Sequence, residues 1–255
     1  MLVSAAVCPH PPILVPAMAG EAAPELDALR TACDEAVRLL TGLPAGPGGR
    51  PTGAPGARPG DALVVVGGAG ATRSYGPGAY ATLRPYGLDW TIPDEPEDGA
   101  EALPLSLTIG RWLLRRHDAD LDAGYEAVAF DASPEECLSL GRRLAESADR
   151  VALLVMGDGS ACRSEKAPGY LDGRARPFDE AVARALAGAD AAALAALDPG
   201  RAVELQAAGR AAWQVLAGAA TAGGEGGLTA ALLADEAPYG VGYFVSAWSR
   251  TGYGC

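Results

Sequence analysis

The sequence predicts an α/β fold: a single-domain sandwich in which helices flank a mainly parallel central sheet. Residues 2–7, 62–66 and 150–156 are short, mostly apolar runs, each followed within two residues by Gly or Pro, as is typical of strands buried on both faces. Segments with helical spacing alternate with these runs, which is typical of strand–helix–strand units. We expect the three strands to be neighbours. A hydrophobic content of 49% over residues 1–255 suits one domain with a large core.

The first half of the chain supplies the next elements in order. Residues 24–40 have apolar side chains at helical spacing and acids near their start, which predicts a helix. Residues 43–60 are dense in Gly and Pro without periodicity, which predicts a flexible surface loop. The later segments are a strand over 86–92, a solvated acidic loop over 94–101, a helix over 103–116 and a strand over 125–131.

The second half opens on a clear helix start, because Ser133 is a good N-cap and Pro134 suits the first helical position. After the strand at 150–156 comes a long polar loop over 157–173. Further helices are predicted over 178–187, 191–197, 201–219 and 228–233. Residues 239–248 are aromatic and β-branched, which predicts a final strand.

Charge and composition argue against several classes of partner. The net charge of -12 argues against nucleic acid and against an anionic membrane surface. No apolar run is long enough to span a bilayer, and no basic segment precedes the first strand, so we expect a cytoplasmic protein. The five cysteines are odd in number and form no Cys-x-x-Cys pair, which is typical of reduced thiols.

His10 is the first candidate functional residue, and it is one of only two histidines in the chain. It lies in a rigid turn, Cys8-Pro9-His10-Pro11-Pro12, at the carboxyl end of the first strand. A histidine in that position can act as a metal ligand or as a base. The alternative is a histidine that caps the turn by hydrogen bonding.

Two further loops follow buried strands and are expected at the same edge of the sheet, where α/β proteins bind ligands. The stretch from Gly68 to Arg73 begins like a dinucleotide fingerprint but has Arg73 at the third glycine position, so a nucleotide site is one open alternative. The loop after 150–156 is either an active-site loop or a connection that satisfies its own backbone donors. Its candidate residues are Asp158, Ser160, Cys162 and Lys166.

These motifs and their order resemble the catalytic, B-like subunit of class III extradiol ring-cleavage dioxygenases and their Memo-like relatives. The matching segments cover essentially the whole chain: His10-Pro11-Pro12, Gly157-Asp158-Gly159-Ser160, and residues 167–170, 173, 178–179, 215–219 and 239–244. The resemblance implies the fold of that family and association with a second copy or a partner subunit. It also implies Fe(II) held by two histidines and a carboxylate, with a further histidine as acid/base.

The chain departs from that family at the iron site. His10 matches the first ligand, but residues 67–69, Gly-Gly-Ala, stand where the second histidine is expected. Ala161 stands at the acid/base position. Residues 206–209 stand where the carboxylate is expected, with Glu204 close but out of register. His117, the other histidine, follows two arginines at a predicted helix end, where stabilisation of the helix dipole is its expected role.

We therefore expect a homologue whose Fe(II) site is lost or altered and which binds a small molecule or a partner. The alternative is an active metal-dependent dioxygenase for a catechol-like substrate, with a site rebuilt from His10, Cys8, Asp158 and Cys162. Thiolate ligands would then favour zinc or copper over iron. No cofactor is assigned beyond the Fe(II) or other divalent metal that the resemblance implies. Gly68, Ser160 and Lys166 complete the candidate pocket.

Overall fold

The computed structural model describes residues 1–42, 62–117, 123–223 and 227–251, so the loop predicted over 43–60 lies outside the described residues. The strands are β1 (Leu2–Cys8), β2 (Ala62–Ala69), β3 (Arg73–Tyr75), β4 (Ala81–Thr82), β5 (Thr91–Ile92), β6 (Gly124–Ala129), β7 (Val151–Met156), β8 (Leu228–Glu236) and β9 (Tyr243–Arg250). The helices are α1 (Pro16–Ala19), α2 (Asp27–Thr41), α3 (Leu105–Arg115), α4 (Pro134–Glu146), α5 (Ala175–Ala187), α6 (Ala191–Ala195), α7 (Pro199–Glu204) and α8 (Arg210–Thr221).

A seven-stranded sheet forms the centre, in the order β3-β6-β2-β7-β1-β9-β8. Strands β6, β2, β7 and β1 run parallel to their neighbours within this group. Strands β3, β9 and β8 are antiparallel additions at the two ends. The prediction of a mainly parallel sheet flanked by helices is therefore confirmed, and the strands predicted as neighbours do lie side by side as β2, β7 and β1.

Two apolar cores cover the two faces of this sheet. Successive side chains of β1 alternate between them, with Ala6 and Cys8 under α2 and α3, and Ala5 and Val7 on the face of α8 and α5. Because β1 and β7 are covered on both faces, their residues are apolar throughout except Ser4, whose Oγ donates to the carbonyl oxygen of Leu40 at 3.4 Å. No helix within the described ranges is long and apolar enough to cross a bilayer.

Helices α4 and α8 pack against each other at backbone distance. A Cβ at Gly141 of α4 would lie 2.6 Å from the amide nitrogen of Ala219, and one at Gly218 of α8 would lie 2.7 Å from the Cα of Leu138. Glycine at both positions lets the two helices meet, because dense interiors leave no room for an extra methyl group. This contact holds α8 on the sheet, with its first residue, Arg210, near the carboxyl ends of the strands.

The start of α4 confirms the N-cap predicted at Ser133. Its Oγ accepts a hydrogen bond from the backbone N–H of Glu136 at 3.3 Å. The Glu136 carboxylate in turn accepts from the backbone N–H of Ser133 at 2.8 Å, which completes a capping box.

Several predicted elements were wrong in type or in extent. Residues 228–233, predicted as a helix, belong to strand β8, because a short apolar run does not distinguish the two and pairing with β9 decides. The single helix predicted over 201–219 is split into α7 and α8, with Gln206 at φ +53° between them. Residues 86–92 form the end of a 3₁₀ turn and the two-residue β5 instead of one strand. Helix α2 starts at Asp27, after a 3₁₀ segment over Gly20–Leu26.

Candidate functional site at the carboxyl edge of the sheet

The carboxyl ends of the parallel strands bring four loops to one edge, and His10, Gly68, Phe130 and Asp158 lie at these ends. The backbone N–H of Gly157 donates to the carbonyl oxygen of Cys8 at 2.9 Å, which extends the β1–β7 ladder beyond the strands. The loops that follow β1 and β7 therefore lie together, as the sequence predicts.

His10 and Asp158 form the titratable pair of this edge. The backbone N–H of His10 donates to Oδ1 of Asp158 at 2.8 Å, and Nδ1 of the His10 ring lies 3.7 Å from the same oxygen. The ring is 7% exposed, and no described residue is hydrogen-bonded to its Nδ1. Burial raises the pKa of Asp158, while the neighbouring His10 charge and N–H oppose this rise. The site thus presents an unused imidazole nitrogen beside a buried carboxyl group.

Tyr243 adds a phenol close to this pair. It is the first residue of β9, the antiparallel neighbour of β1, and it is 3% exposed. Burial, together with the charges of Asp158 and Tyr239, raises the pKa of Tyr243 well above its usual range. Its hydroxyl therefore stays protonated and can donate a hydrogen bond at all ordinary pH values.

The connection between α7 and α8 runs across the carboxyl ends of β2 and β7. The carbonyl oxygen of Leu205 accepts from the N–H of Ala161 at 2.9 Å, and that of Asp158 accepts from the N–H of Gly209 at 2.8 Å. A Cβ at Gly157 would lie 2.6 Å from the Cα of Gly209. The backbone of 205–209 thus lies where the resemblance expects a carboxylate ligand, and it approaches β7 too closely for any side chain at Gly157.

The space beyond Gly68 is filled by an aromatic ring. A Cβ at Gly68 would lie 2.8 Å from Cδ1 of Phe130 and 3.2 Å from the carbonyl oxygen of Ala208. A Cβ at the preceding Gly67 would lie 2.6 Å from the Cβ of Ser106. The Phe130 ring is nevertheless 46% exposed, because its other side borders an apolar groove of about 240 Å³. The other residues that line the groove are Ala202, Val203, Gln206, Ala207 and Ala208.

Ser160, a candidate residue of the β7 loop, is bound by a buried carboxylate of α5. Its N–H and Oγ donate to the two oxygens of Asp179 at 2.8 and 2.7 Å, and Arg163 pairs with Oδ2 at 2.9 Å. Burial raises the pKa of Asp179, although its three donors favour the charged form. The network anchors the loop to α5 and engages the Ser160 hydroxyl.

The remaining candidates do not converge on His10. The Cys8 side chain lies in the core under α2, where it neighbours Cys33. The Cys162 thiol lies 3.5 Å from the carbonyl oxygens of both Gly169 and Leu205, and burial raises its pKa. Lys166 is exposed in the same loop. A site rebuilt from thiols around His10 is therefore not assembled in this conformation.

His117 follows the end of α3, on the face of the sheet that α2 and α3 cover. Its Nε2 is 3.4 Å from Oδ1 of Asp34, and Arg116 donates to both oxygens of that carboxylate at 2.8 and 2.7 Å. Burial opposes ionisation of Asp34, but these two partners lower its pKa to about 2. The second histidine thus joins α3 to α2, and within the described ranges it belongs to no group of three potential metal ligands with His10.

The donors present do not fit the Fe(II) that the resemblance implies. Oxygen-activating iron of this type needs two histidines and a carboxylate on one face. Within residues 1–42, 62–117, 123–223 and 227–251, no three His, Cys, Asp or Glu side chains lie close enough together to hold a metal ion. His10 and Asp158 supply one imidazole and one carboxylate.

The loop after β2 does not have the geometry of a dinucleotide site either. Such sites place the pyrophosphate at the N-terminus of a helix that follows the glycines. Here the glycines lead into the short strand β3, which pairs with β6. The open alternative of a nucleotide-binding loop is therefore not supported by the structure.

Sequence reasoning did not single out Phe130, Tyr243 or Arg210 as parts of this site. Arg210 is fully buried, and its guanidinium donates to the carbonyl oxygens of Phe130 and Ala132, both at 2.5 Å, which positions the turn that carries the Phe130 ring. A usable signal existed for Phe130, since an aromatic residue at the end of a parallel strand lies where ligands bind. Nothing in the alanine-rich segment around Arg210 indicates that its side chain is buried and hydrogen-bonded to the turn after β6.

Known proteins match this chain through the fold. No family model and no curated protein sequence matches it. Among solved structures it is similar to the "uncharacterized protein JW3007 from Escherichia coli K12", with a TM-score of 0.54 and 14% sequence identity. The match extends over nearly all of both chains. It covers 97% of this chain and 99% of that one, and it supports the α/β architecture described above.

Proposed function

We propose that the protein is a divergent relative of the class III extradiol dioxygenases with an altered iron site, and that it binds a small molecule at the carboxyl edge of its sheet. The main support is the ring of Phe130, which occupies the space that a second histidine at Gly68 would need. Of the donors implied by the resemblance, His10 alone is present at this edge.

The polar groups at this edge suit a ligand with a hydroxyl or carbonyl group. His10 offers an unpartnered Nδ1, Asp158 a buried carboxyl group and Tyr243 a protonated phenol. A few fixed polar groups in apolar surroundings are typical of small-molecule sites, since they orient a ligand that apolar contacts retain. A phenol or catechol meets this requirement, because its hydroxyl can donate to His10 and accept from Tyr243.

Iron binding is the first test of this proposal. Purified protein is incubated anaerobically with excess Fe(II), freed of unbound metal and analysed for iron, beside the variant His10→Ala. We expect iron well below one equivalent in both proteins, because one imidazole and one carboxylate hold Fe(II) weakly. One equivalent of iron in the wild type that is lost in His10→Ala would contradict the proposal and favour the active enzyme.

Ligand binding is the second test, and the two histidines provide a matched pair of variants. Phenol and catechol are titrated into the protein without metal, and binding is followed by saturation-transfer NMR. We expect His10→Ala and Tyr243→Phe to weaken binding, and His117→Ala, whose ring pairs with Asp34 of α2, to leave it unchanged. Equal binding by His10→Ala and the wild type would show that the ligand does not use this site.

A further inference from the structure

The two outermost strands of the central sheet, β3 and β8, are built differently. β3, at one edge, is three residues long and carries the charged Arg73, and both short length and charge protect an edge strand from pairing. β8, at the other edge, is nine residues long. Its first seven residues, 228–234, contain no charge and no proline. A register shift between Leu232 and Ala234 is its only irregularity.

The outer side of β8 has no strand partner in the described part of the chain. It pairs with β9 on its inner side, from Leu228 opposite Arg250 to Glu236 opposite Tyr243. Its two faces are partly covered, because α2 contacts one and α5 the other, while Thr229, Ala231 and Asp235 stay exposed. The unpaired N–H and C=O groups along the outer side are therefore the feature that can accept another strand.

We propose that the protein forms a homodimer in which β8 pairs antiparallel with β8 of a second copy. The charges of β8 favour antiparallel pairing with a second copy. Asp235 and Glu236 lie together at its carboxyl end, so parallel pairing would bring the acidic ends of two copies side by side. Antiparallel pairing separates them and places Glu236 of each copy opposite the uncharged Leu228 of the other.

A groove beside β8 gives this pairing an apolar contact. It has a volume of about 160 Å³ and is lined by Leu39 of α2, residues 229–231 of β8 and residues 247–249 of β9. If Leu232 of one copy pairs with Leu232 of the other, Leu233 of the second copy lies opposite Ala231 of the first. Both side chains are then on the face of the sheet that carries Leu39. The same contact occurs twice, as a two-fold axis requires.

The dimensions of the edge match those of an ordinary interface. A nine-residue strand is roughly 30 Å long, and the helix layers on both faces thicken the edge to about 25 Å. Such a band offers at most about 750 Å² per copy, comparable with the ~800 Å² per partner of stable interfaces. Two copies with net charge -12 repel at long range, so added salt should strengthen the dimer.

Analytical ultracentrifugation over a wide range of protein concentration, at low and high salt, tests the proposal. We expect a monomer–dimer equilibrium that shifts toward dimer with salt. Ala231→Glu introduces an anion at an exposed position of β8, diagonal to Asp235 of the second copy, and should weaken the dimer by about tenfold or more. Ala192→Glu, at an exposed position of α6, makes the same charge change and should leave the equilibrium at its wild-type value.

Hydrogen exchange of the 228–236 peptide gives a second readout that does not depend on a variant. We expect protection of this peptide to increase with protein concentration, while α3 stays constant. A protein that is monomeric at every concentration and salt would overturn the proposal. Dimerisation of Ala231→Glu with the wild-type equilibrium would overturn it too. Full protection of β8 in a monomer would also overturn it, because another part of the same chain would then cover the edge.

Discussion

The ring of Phe130 stands against Gly68 at the carboxyl end of β2, so closely that a Cβ on the glycine would lie 2.8 Å from the ring carbon Cδ1. Arg210 holds the turn that carries this ring through the carbonyl oxygen of Phe130. A histidine cannot be introduced at Gly68 without displacing the ring. The loss of the iron site that we propose would therefore be a change in packing as well as a change of ligand.

Gly68→Ala should destabilise the protein by roughly 1–3 kcal/mol, since overfilling a packed region costs about that much. In the double variant Gly68→Ala/Phe130→Ala the clash with the ring is removed, so the two effects should be non-additive by about 1 kcal/mol. Urea unfolding of the four proteins measures this coupling. Gly70→Ala is the control, because nothing lies within 4 Å of a Cβ there. Strictly additive effects would mean that the ring does not fill this space.

Gly141→Ala should be among the most damaging single substitutions, costing about 3 kcal/mol or more. The added methyl group would meet the backbone of α8 at Ala219, which cannot rotate away as a side chain can. Thermal unfolding compares this variant with Gly76→Ala, whose Cβ meets nothing within 4 Å. A mild effect at Gly141 would indicate that α4 and α8 lie further apart.

Asp34→Asn should cost roughly 1–2 kcal/mol of stability at neutral pH, after allowance for solvent screening of this half-buried pair. The folded-state pKa of Asp34 is lowered to about 2, so its ionised form favours the folded state above the unfolded value. The difference between variant and wild type should therefore vanish as the pH falls from about 4 to about 2. Denaturant titrations across this interval test the sign, with Asp94→Asn in the exposed acidic loop as the control.

Asp158→Asn should behave in the opposite way. Burial raises the folded-state pKa of Asp158, so ionisation disfavours the folded state, and wild-type stability falls as the pH rises through that pKa. Asparagine keeps an oxygen that accepts from the His10 N–H but carries no charge. The variant should therefore gain stability relative to wild type as the pH rises from about 4, the unfolded-state value. A relative loss over that interval would mean that the His10 charge outweighs burial.

The sequence predicted the central strands well, because buried parallel strands are continuous apolar runs with clear ends. It failed at 201–219 and 228–233 for a common reason. Alanine and leucine are compatible with helix, loop and strand there, and the decision comes from tertiary contacts: the bonds of 205–209 to the β7 loop, and the pairing of β8 with β9.

The candidate site was predictable only in part, for a similar physical reason. His10 and Asp158 follow from the rule that ligands meet the carboxyl ends of parallel strands. The position of the Phe130 ring depends on Arg210, which is distant in sequence, and no local pattern encodes that contact. For Ser160 and Cys162 the sequence allowed either a role in a site or a structural role in the loop. In the structure the Ser160 side chain is hydrogen-bonded to Asp179 and the Cys162 thiol to the carbonyl oxygen of Leu205, so both side chains hold the loop in place.

We propose that this edge of the sheet binds a ligand without oxidising it, and oxygen uptake after anaerobic loading with Fe(II) tests this most directly. The protein is assayed against a panel of catechols beside His10→Ala and His117→Ala. We expect no ring cleavage and no uptake above the rate of free iron, because His10 lacks a second imidazole ligand and Ala161 stands where an acid/base histidine would be needed. Robust turnover that persists in His117→Ala and disappears in His10→Ala would contradict the account.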